Sequence, residues 1–425
     1  MLKALDEICY IRYSIRMKIW IKYLLGTALG LVIALFIPIT TESGTETLSF
    51  LTELAIRIGR FFLIPILFFG TTLAMTNLRL KGTLIKTWIF TLIAGIVATA
   101  IIVTFGTLSA LVINFTRIPI IEENSLDVVS INIKDHILML FPYNGIEGLF
   151  NGLYLLPVLV FSAFLAAGIA SDPIRSKQTY SLFESLNRVS YLIIHFFIEF
   201  LSIGMIAISC TWFISFFDAL ETGAYTGLII LLSVDVVIVV CILLPLLLRF
   251  FIKKSNPFKV LYACIAPMTT ALFSGDTNLS YMVSIRHIKE SLGIKKDTGA
   301  TSLPLLSVFV RSGSGLVIAV SLIAILKSYS SLEIAFLDVL WITAFSVISS
   351  FFLGGMPTGG AFVAITILCS MYGRGFESAY LLLKPIAFIL CTFGTAIDIA
   401  TQIFCTYFIA KKSKMVKEKS WEAYI

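Results

Sequence analysis

The chain has 425 residues, of which 58% are hydrophobic and only 13% charged, with a formal net charge of +7 and a mean hydropathy of +0.97. Soluble domains carry about a quarter charged residues, so this composition excludes an ordinary soluble domain and implies an all-α membrane protein with several spans. The positive charge does not imply nucleic acid, because Lys and Arg gather at the termini and in short loops, where they act as topology signals.

Cysteine and histidine offer no metal or redox framework. Cys9, Cys210, Cys241, Cys264, Cys369, Cys391 and Cys405 are scattered without a CxxC, and His136, His195 and His287 lie far apart. No HExxH, GxSxG or paired catalytic acids occur, and no soluble stretch is long enough to hold a cofactor. Catalytic residues, an enzymatic activity and a cofactor are therefore not expected, and no metal ligands are assigned.

In chain order, the first apolar run covers residues 19–37. No small-residue cleavage pattern follows it, so it reads as a retained span. Further spans are expected at 48–76 (with Pro65 tolerated inside it), 84–113, 149–170, 189–217 and 223–251. Between the third and fourth lies the most polar connection, 114–148, carrying Glu122, Glu123, Asp127, Lys134 and Asp135. Every second loop is basic: Lys3, Arg12, Arg16, Lys18 and Lys22 precede the first span, and Arg79, Lys81 and Lys86 follow the second. Arg175, Lys177 and Arg188 follow the fourth, and Arg249, Lys253, Lys254 and Lys259 follow the sixth. This alternation puts the N-terminus in the cytoplasm and the 114–148 loop outside. Glu199 and Asp235 fall inside apolar spans, where each suits either a functional role or a hydrogen bond to a neighbouring helix; neither is assigned one.

The second half has another texture. Residues 260–290 are apolar but cut by Ser274-Gly275-Asp276-Thr277-Asn278-Leu279-Ser280, with basic residues on both flanks. Equal charge on both sides implies a re-entrant hairpin that enters and leaves on the cytoplasmic face. Residues 303–326 are long enough to span, yet Arg311-Ser312-Gly313-Ser314-Gly315 interrupts them. A mid-membrane charge and two glycines indicate a broken helix lining a site; the plainer alternative is an arginine snorkelling to the interface. Residues 334–372 are cut by Gly354-Gly355-Met356-Pro357-Thr358-Gly359-Gly360, which gives a second hairpin from the outer face. The last span, 381–410, precedes the basic residues Lys411, Lys412, Lys414, Lys417 and Lys419, which put the C-terminus in the cytoplasm as well.

Eight spans plus two re-entrant hairpins satisfy these constraints. Hairpin plus span then occurs twice from opposite faces, an inverted repeat whose site belongs near the midplane. The alternative makes each hairpin two short, tightly turned spans. In the last span Cys391, Thr395, Asp398 and Gln402 are spaced by four, three and four, along one helix face. A carboxylate in such a stripe marks a pathway or site; an interhelical hydrogen-bond seam is the alternative. The chain thus divides into the six early spans of residues 1–252, the two hairpin-and-span units of 253–411, and a basic cytoplasmic tail of 412–425. Candidate substrate-binding residues are Ser274, Asp276, Thr277 and Asn278 in the first interruption, and Arg311, Ser312 and Ser314 in the broken span. Thr358, Gly359 and Gly360 in the second interruption, and Thr395, Asp398 and Gln402 in the last span, complete the set.

The order of elements resembles the dicarboxylate/amino acid:cation symporter family, the glutamate-transporter homologues. Phe62-Leu63-Ile64-Pro65 resembles that family's VIPL-type segment, and Leu156-Pro157-Val158 leads into a segment like its fourth span. Ser274–Ser280 stands where the family has a serine-rich tip. Leu303-Pro304-Leu305 matches the start of its seventh span, and Met356-Pro357-Thr358-Gly359-Gly360-Ala361 resembles the tip of its second hairpin. The likeness runs from the first span to the basic tail. It implies a homotrimer in membrane lipid that carries a small carboxylate or amino acid by an elevator movement, with residues 1–252 mainly scaffold and oligomerisation spans and 253–411 the transport core that moves against them.

The departures fall in the site. Val310-Arg311-Ser312-Gly313 stands where the family has Asn-Met-Asp-Gly, so an Asn and an Asp that serve sodium are missing. Cys391 and Gly394 stand where the family has the substrate Asp and Arg, and Asp398 and Gln402 where it has Asn and Asp. Only Thr395 keeps its identity, and the first hairpin gains Asp276. These changes weaken the case for sodium, leave a proton gradient as a driving force with Asp276 or Asp398 as carrier, and argue against acidic amino acids bound in the usual pose. Arg311 is expected to face Asp398 across the site. Another small solute, or a channel or scaffold that no longer transports, is the competing function.

Overall fold

The computed structural model describes residues 18–36, 42–113, 155–253, 255–329, 334–356, 358–373, 375–417 and 419–420, with single positions 118, 146, 149 and 424. The polar connection 114–148 (two of these positions apart), the early cations Lys3, Arg12 and Arg16, and Cys9, His136, Lys254 and Pro357 lie outside them. The described residues are mainly helical, joined by turns and short irregular links, with one isolated bridge between Ile294 and Val416.

The first half contains α1 (Ile19–Phe36), α2 (Glu42–Arg60), α3 (Leu63–Leu80), α4 (Leu84–Val112), α5 (Leu155–Ser171) and α6 (Lys177–Glu221), followed by α7 (Thr226–Ile238) and α8 (Leu244–Phe251). The second contains α9 (Pro257–Ser274), α10 (Thr277–Glu290), α11 (Lys296–Phe309), α12 (Ser312–Tyr329), α13 (Phe336–Phe352) and α14 (Gly360–Tyr372). A 3₁₀ segment, Ala379–Ile386, then leads into α15 (Ala387–Lys412). Seven continuous helical stretches among the described residues are long and apolar enough to cross a bilayer.

Three boundaries differ from the expectations, each for a local reason. The second span is not one helix: α2 ends at Arg60 and α3 begins at Leu63, so Pro65 sits in a first turn, where its missing N–H costs nothing. Helix α6 begins twelve residues early, because the polar stretch from Lys177 continues the helix; its 45 residues extend about 67 Å, well beyond a hydrocarbon core of about 30 Å. Between α7 and α8 lies a π turn, Val239–Leu243. Pro245 follows it and cannot donate to the carbonyl four residues back, which favours a widened turn at that point.

Helices of the first half meet through small residues. Gly26 and Gly30 of α1 lie against the α6 backbone at Ser202 and Ile206, and Gly204 of α6 against Ala55 of α2. Without a hydrophobic force between helices in lipid, such close approach is what packs them. The core sits in the second half: 94% of the apolar window in α11–α12 is buried, against 28% in α1. Helix α4 lies directly on this core, with Gly95 against Val310 and Gly106 against Leu316. Asp235 of α7 accepts a 2.8 Å hydrogen bond from Ser109 of α4, and Glu199 of α6 faces Lys22 at 3.7 Å and Arg286 at 3.8 Å. Both in-span acids thus serve interhelical contacts.

The expected basic tail is docked. Lys295 N donates to Met415 O and Lys417 N to Gly293 O, both at 2.9 Å, and Lys419 Nζ reaches Glu290 O at 2.6 Å. Tyr424 is buried beside Tyr262.

Candidate functional site

The break in the seventh expected span falls at Val310 and Arg311, between α11 and α12. A helix start leaves backbone N–H groups without partners and carries partial positive charge. Asp398, projecting from the middle of α15, meets this need. Its Oδ1 accepts from Gly313 N at 2.7 Å and Ser314 N at 3.2 Å, and its Oδ2 accepts from Ser314 Oγ at 2.6 Å. The helices come close enough because position 313 is glycine: a Cβ there would collide with Gly394 O and Ile397. The reciprocal constraint holds at Gly394, where a Cβ would stand 3.1 Å from Ser314 Cα. A long side chain at 394 does not fit this packing.

Arg311 is 4% exposed. Its Nη1 lies 3.9 Å from Asp398 Oδ2, and its Nη2 donates to Met356 O of the second hairpin at 3.3 Å. Its Nε has no partner. The expected approach of Arg311 to Asp398 is present, but as the longer contact of a carboxylate occupied chiefly by the α12 terminus. Burial of this charge excludes the snorkelling alternative.

Arg311 opens onto a small pocket, lined also by Ser314, Leu353, Met356, Gly359, Gly360, Ala361, Cys391 and Thr395. Five of the residues expected at a site therefore converge here: Arg311, Ser314, Gly359, Gly360 and Thr395. Thr395 Oγ1 donates to Cys391 O at 2.8 Å and lies 3.4 Å from Gly275 O, which brings the first hairpin to the same place. Ser312 is fully buried with its hydroxyl unpartnered. Gln402 stands one turn below, donating to the freed carbonyl of Val310 at 3.2 Å.

The first hairpin is tighter than its sequence suggests. The seven-residue interruption shrinks to Gly275 and Asp276, because the helix resumes at Thr277. Gly275 takes a left-handed conformation at φ +62°, and Asp276 caps α10 by accepting from Asn278 N at 2.8 Å and Leu279 N at 3.2 Å. Thr277 and Asn278 are buried in the first turn of α10. Ser274 Oγ donates to Thr270 O at 2.6 Å and lies 3.2 Å from Asp276 N. None of these four lines the pocket. Thr358 is exposed and does not line it either.

Asp276 has a second partner that sequence reasoning missed: Arg60 at the end of α2 forms an ion pair with it. A signal existed, since Arg60 lies near the middle of the 38-residue helical stretch Ser43–Leu80, the same mid-span placement that singled out Arg311. The lining residues Leu353, Ala361 and Cys391 and the Met356 carbonyl were also missed as site members; a backbone carbonyl leaves no trace in residue type.

Most oxygens around the break are engaged, the Ser312 hydroxyl and Gln402 Oε1 being the exceptions. Asp398 accepts three hydrogen bonds, Met356 O accepts from Arg311, and Val310 O accepts from Gln402. Among the described residues no cluster of three or more His, Cys, Asp or Glu could hold a metal ion.

A profile of the sodium:dicarboxylate symporter family matches residues 19–412. The chain belongs to that family. Its relatives include a serine/threonine transporter, SstT, of Streptococcus thermophilus, 24% identical over 252 residues, which are 57% of this chain and 60% of the relative. A serine/threonine transporter SstT of Streptococcus agalactiae is 25% identical over 148 residues, 35% of this chain and 36% of the relative. The matches thus span three-fifths or less of these relatives. That family is one of symporters, and seven helical stretches among the described residues are long and apolar enough to cross a membrane.

Proposed function

We propose that this symporter-family member is a secondary transporter of a small amino acid or carboxylate, and that the pocket between α12, α15 and the second hairpin is its substrate site. One observation carries the proposal: the buried guanidinium of Arg311 faces a small pocket with its Nε unbonded, at a break in a helix. A buried donor left without a partner is costly, so the free Nε–H favours an added acceptor, and the guanidinium's charge favours an anionic one. Arg311 holds the substrate carboxylate, its planar fork bridging that group and Asp398. Cys391, Thr395 and Ala361 surround the remainder. No arginine at 394 awaits a second carboxylate, which favours neutral amino acids, the class named for the SstT relatives.

The carrier works as an elevator in a homotrimer, with both termini in the cytoplasm and the 114–148 loop outside. The moving unit is the inverted repeat of 253–411, with α4 and α7 carried along because they pack on it. Sodium coupling is absent or weak. Arg311 supplies a tethered positive charge beside the Met356 carbonyl and Asp398, and both of these accept hydrogen bonds already. A proton gradient is the remaining driving force. Its use of Asp276 or Asp398 requires their present hydrogen bonds to open.

Binding to the purified protein tests the proposal. Titration with serine, threonine, aspartate and a dicarboxylate, with and without sodium, is expected to give one saturable ligand and little sodium dependence. A chain that binds none of them is a scaffold, and steeply sodium-dependent uptake into proteoliposomes contradicts the coupling proposal.

A further inference from the structure

A second and larger hollow lies away from the site, between α4, α8 and the end of α15. Every residue that lines it is apolar, including Phe90, Val97, Ile101, Leu248, Phe404 and Phe408. It follows α4 from Phe90 to Ile101, roughly 16 Å at the helical rise. Its outer wall is open: Ile93 and Val97 are 53% and 43% exposed. The rings of Phe90 and Phe251 both pack on Phe408, at 5.5 and 5.8 Å, and close one end.

On the three segments that form that end, the charges just beyond it are positive. Lys86 lies four residues before Phe90 and Lys412 four residues after Phe408, each on the same helix face as its phenylalanine. Lys253 lies two residues beyond Phe251, and all three lysines are exposed. No Asp or Glu occurs within residues 81–112 or 238–256, and the one acid of α15, Asp398, is buried at the site. An apolar slot open to the bilayer, ending in a cluster of exposed lysines, matches an acyl chain joined to a phosphate headgroup.

We propose that this groove is a binding site for an anionic phospholipid, with one acyl chain along α4 and the phosphate among Lys86, Lys253 and Lys412. The basic-loop rule puts these lysines on the cytoplasmic side, where anionic headgroups attract them. The lipid therefore seats on a helix group packed against the core, and binds whether or not the pocket at Arg311 holds substrate.

Native mass spectrometry of the delipidated full-length protein, titrated with phosphatidylglycerol or phosphatidylcholine, tests this. The wild type is expected to hold phosphatidylglycerol preferentially. Lys86→Gln with Lys412→Gln should weaken that binding about fivefold per lysine, leaving phosphatidylcholine unchanged. Ala94→Trp, which fills the groove from a half-buried position, should weaken both. Equal binding of the two lipids by the wild type overturns the anionic assignment, as does an unchanged preference in the lysine double variant. The exposed lysines can be replaced without touching the core, so that arm is independent of how Ala94→Trp folds. A change in oligomer mass in Ala94→Trp, in place of a lost lipid, would assign the groove to a second copy of the chain and overturn the proposal.

Discussion

The two hairpin tips do opposite things with similar sequences. Both are glycine-containing interruptions of apolar segments, yet the first closes in two residues, whereas in the second the α-helix ends at Phe352, a 3₁₀ turn covers Leu353–Gly355, and α-helix resumes only at Gly360. The first is held by its own carboxylate: Asp276 caps α10 and also pairs with Arg60 of α2, so it joins the hairpin to the early helices. The second has no acid. Its described contact with the site's charged groups is the carbonyl of Met356 against Arg311. A tip with its own acid supplies its helix cap internally and stays compact, whereas a tip without one leaves backbone groups to be satisfied by whatever stands opposite. That difference makes the first tip a fixed wall and leaves the second tip dependent on Arg311.

The comparison breaks first at Asp276. Asp276→Ala removes a helix cap and strands Arg60, and is expected to cost about 3–5 kcal/mol, the usual scale for breaking a buried pair. Thermal unfolding in detergent measures it, and a loss under about 1 kcal/mol would mean that the tip is held by something else. Arg60→Ala should cost less, about 2 kcal/mol, because the arginine is partly exposed and the α10 cap survives. Arg60→Lys should recover part of that loss.

The glycines sharpen the contrast with smaller effects. Gly275 and Gly359 both have positive φ, +62° and +71°, so alanine at either costs roughly 1 kcal/mol of backbone strain. At Gly275 a Cβ also meets Thr392 at 3.0 Å, whereas nothing lies within 4 Å at Gly359. Gly275→Ala is therefore expected to unfold at lower temperature than Gly359→Ala. The reverse order would contradict a tightly packed first tip and an open second one.

Much of this was legible in the residues, and the part that was not has a physical cause. The broken helix at Arg311 could be read because a charge and two glycines cannot sit in an apolar span without a structural reason. The face of α15 could be read because helical spacing places Thr395, Asp398 and Gln402 together. Asp398's main task could not: its partners are the backbone N–H groups of Gly313 and Ser314, which no side chain announces. The pairing of Asp276 with Arg60 was hidden for another reason. It links residues 216 positions apart in two halves read as separate domains, and Arg60 sits among apolar neighbours where Pro65 drew the eye. The extent of the first tip was misjudged because Thr277, Asn278 and Ser280 look like loop residues; with Asp276 as cap they begin a helix.

The measurement that bears most directly on the central claim is a double-mutant cycle on Arg311 and Asp398, read by ligand affinity and by thermal unfolding. Arg311→Ala is expected to abolish binding of an amino acid or carboxylate that the wild type binds, and Arg311→Lys to restore it only in part, since an ammonium cannot bridge two carboxylates. Asp398→Asn should destabilise the wild type more than it destabilises Arg311→Ala, with a coupling of about 0.5–3 kcal/mol as for residues in contact. Affinity unchanged in Arg311→Ala, together with additive stability effects, would show that the arginine serves neither the pocket nor the carboxylate, and would place the substrate elsewhere.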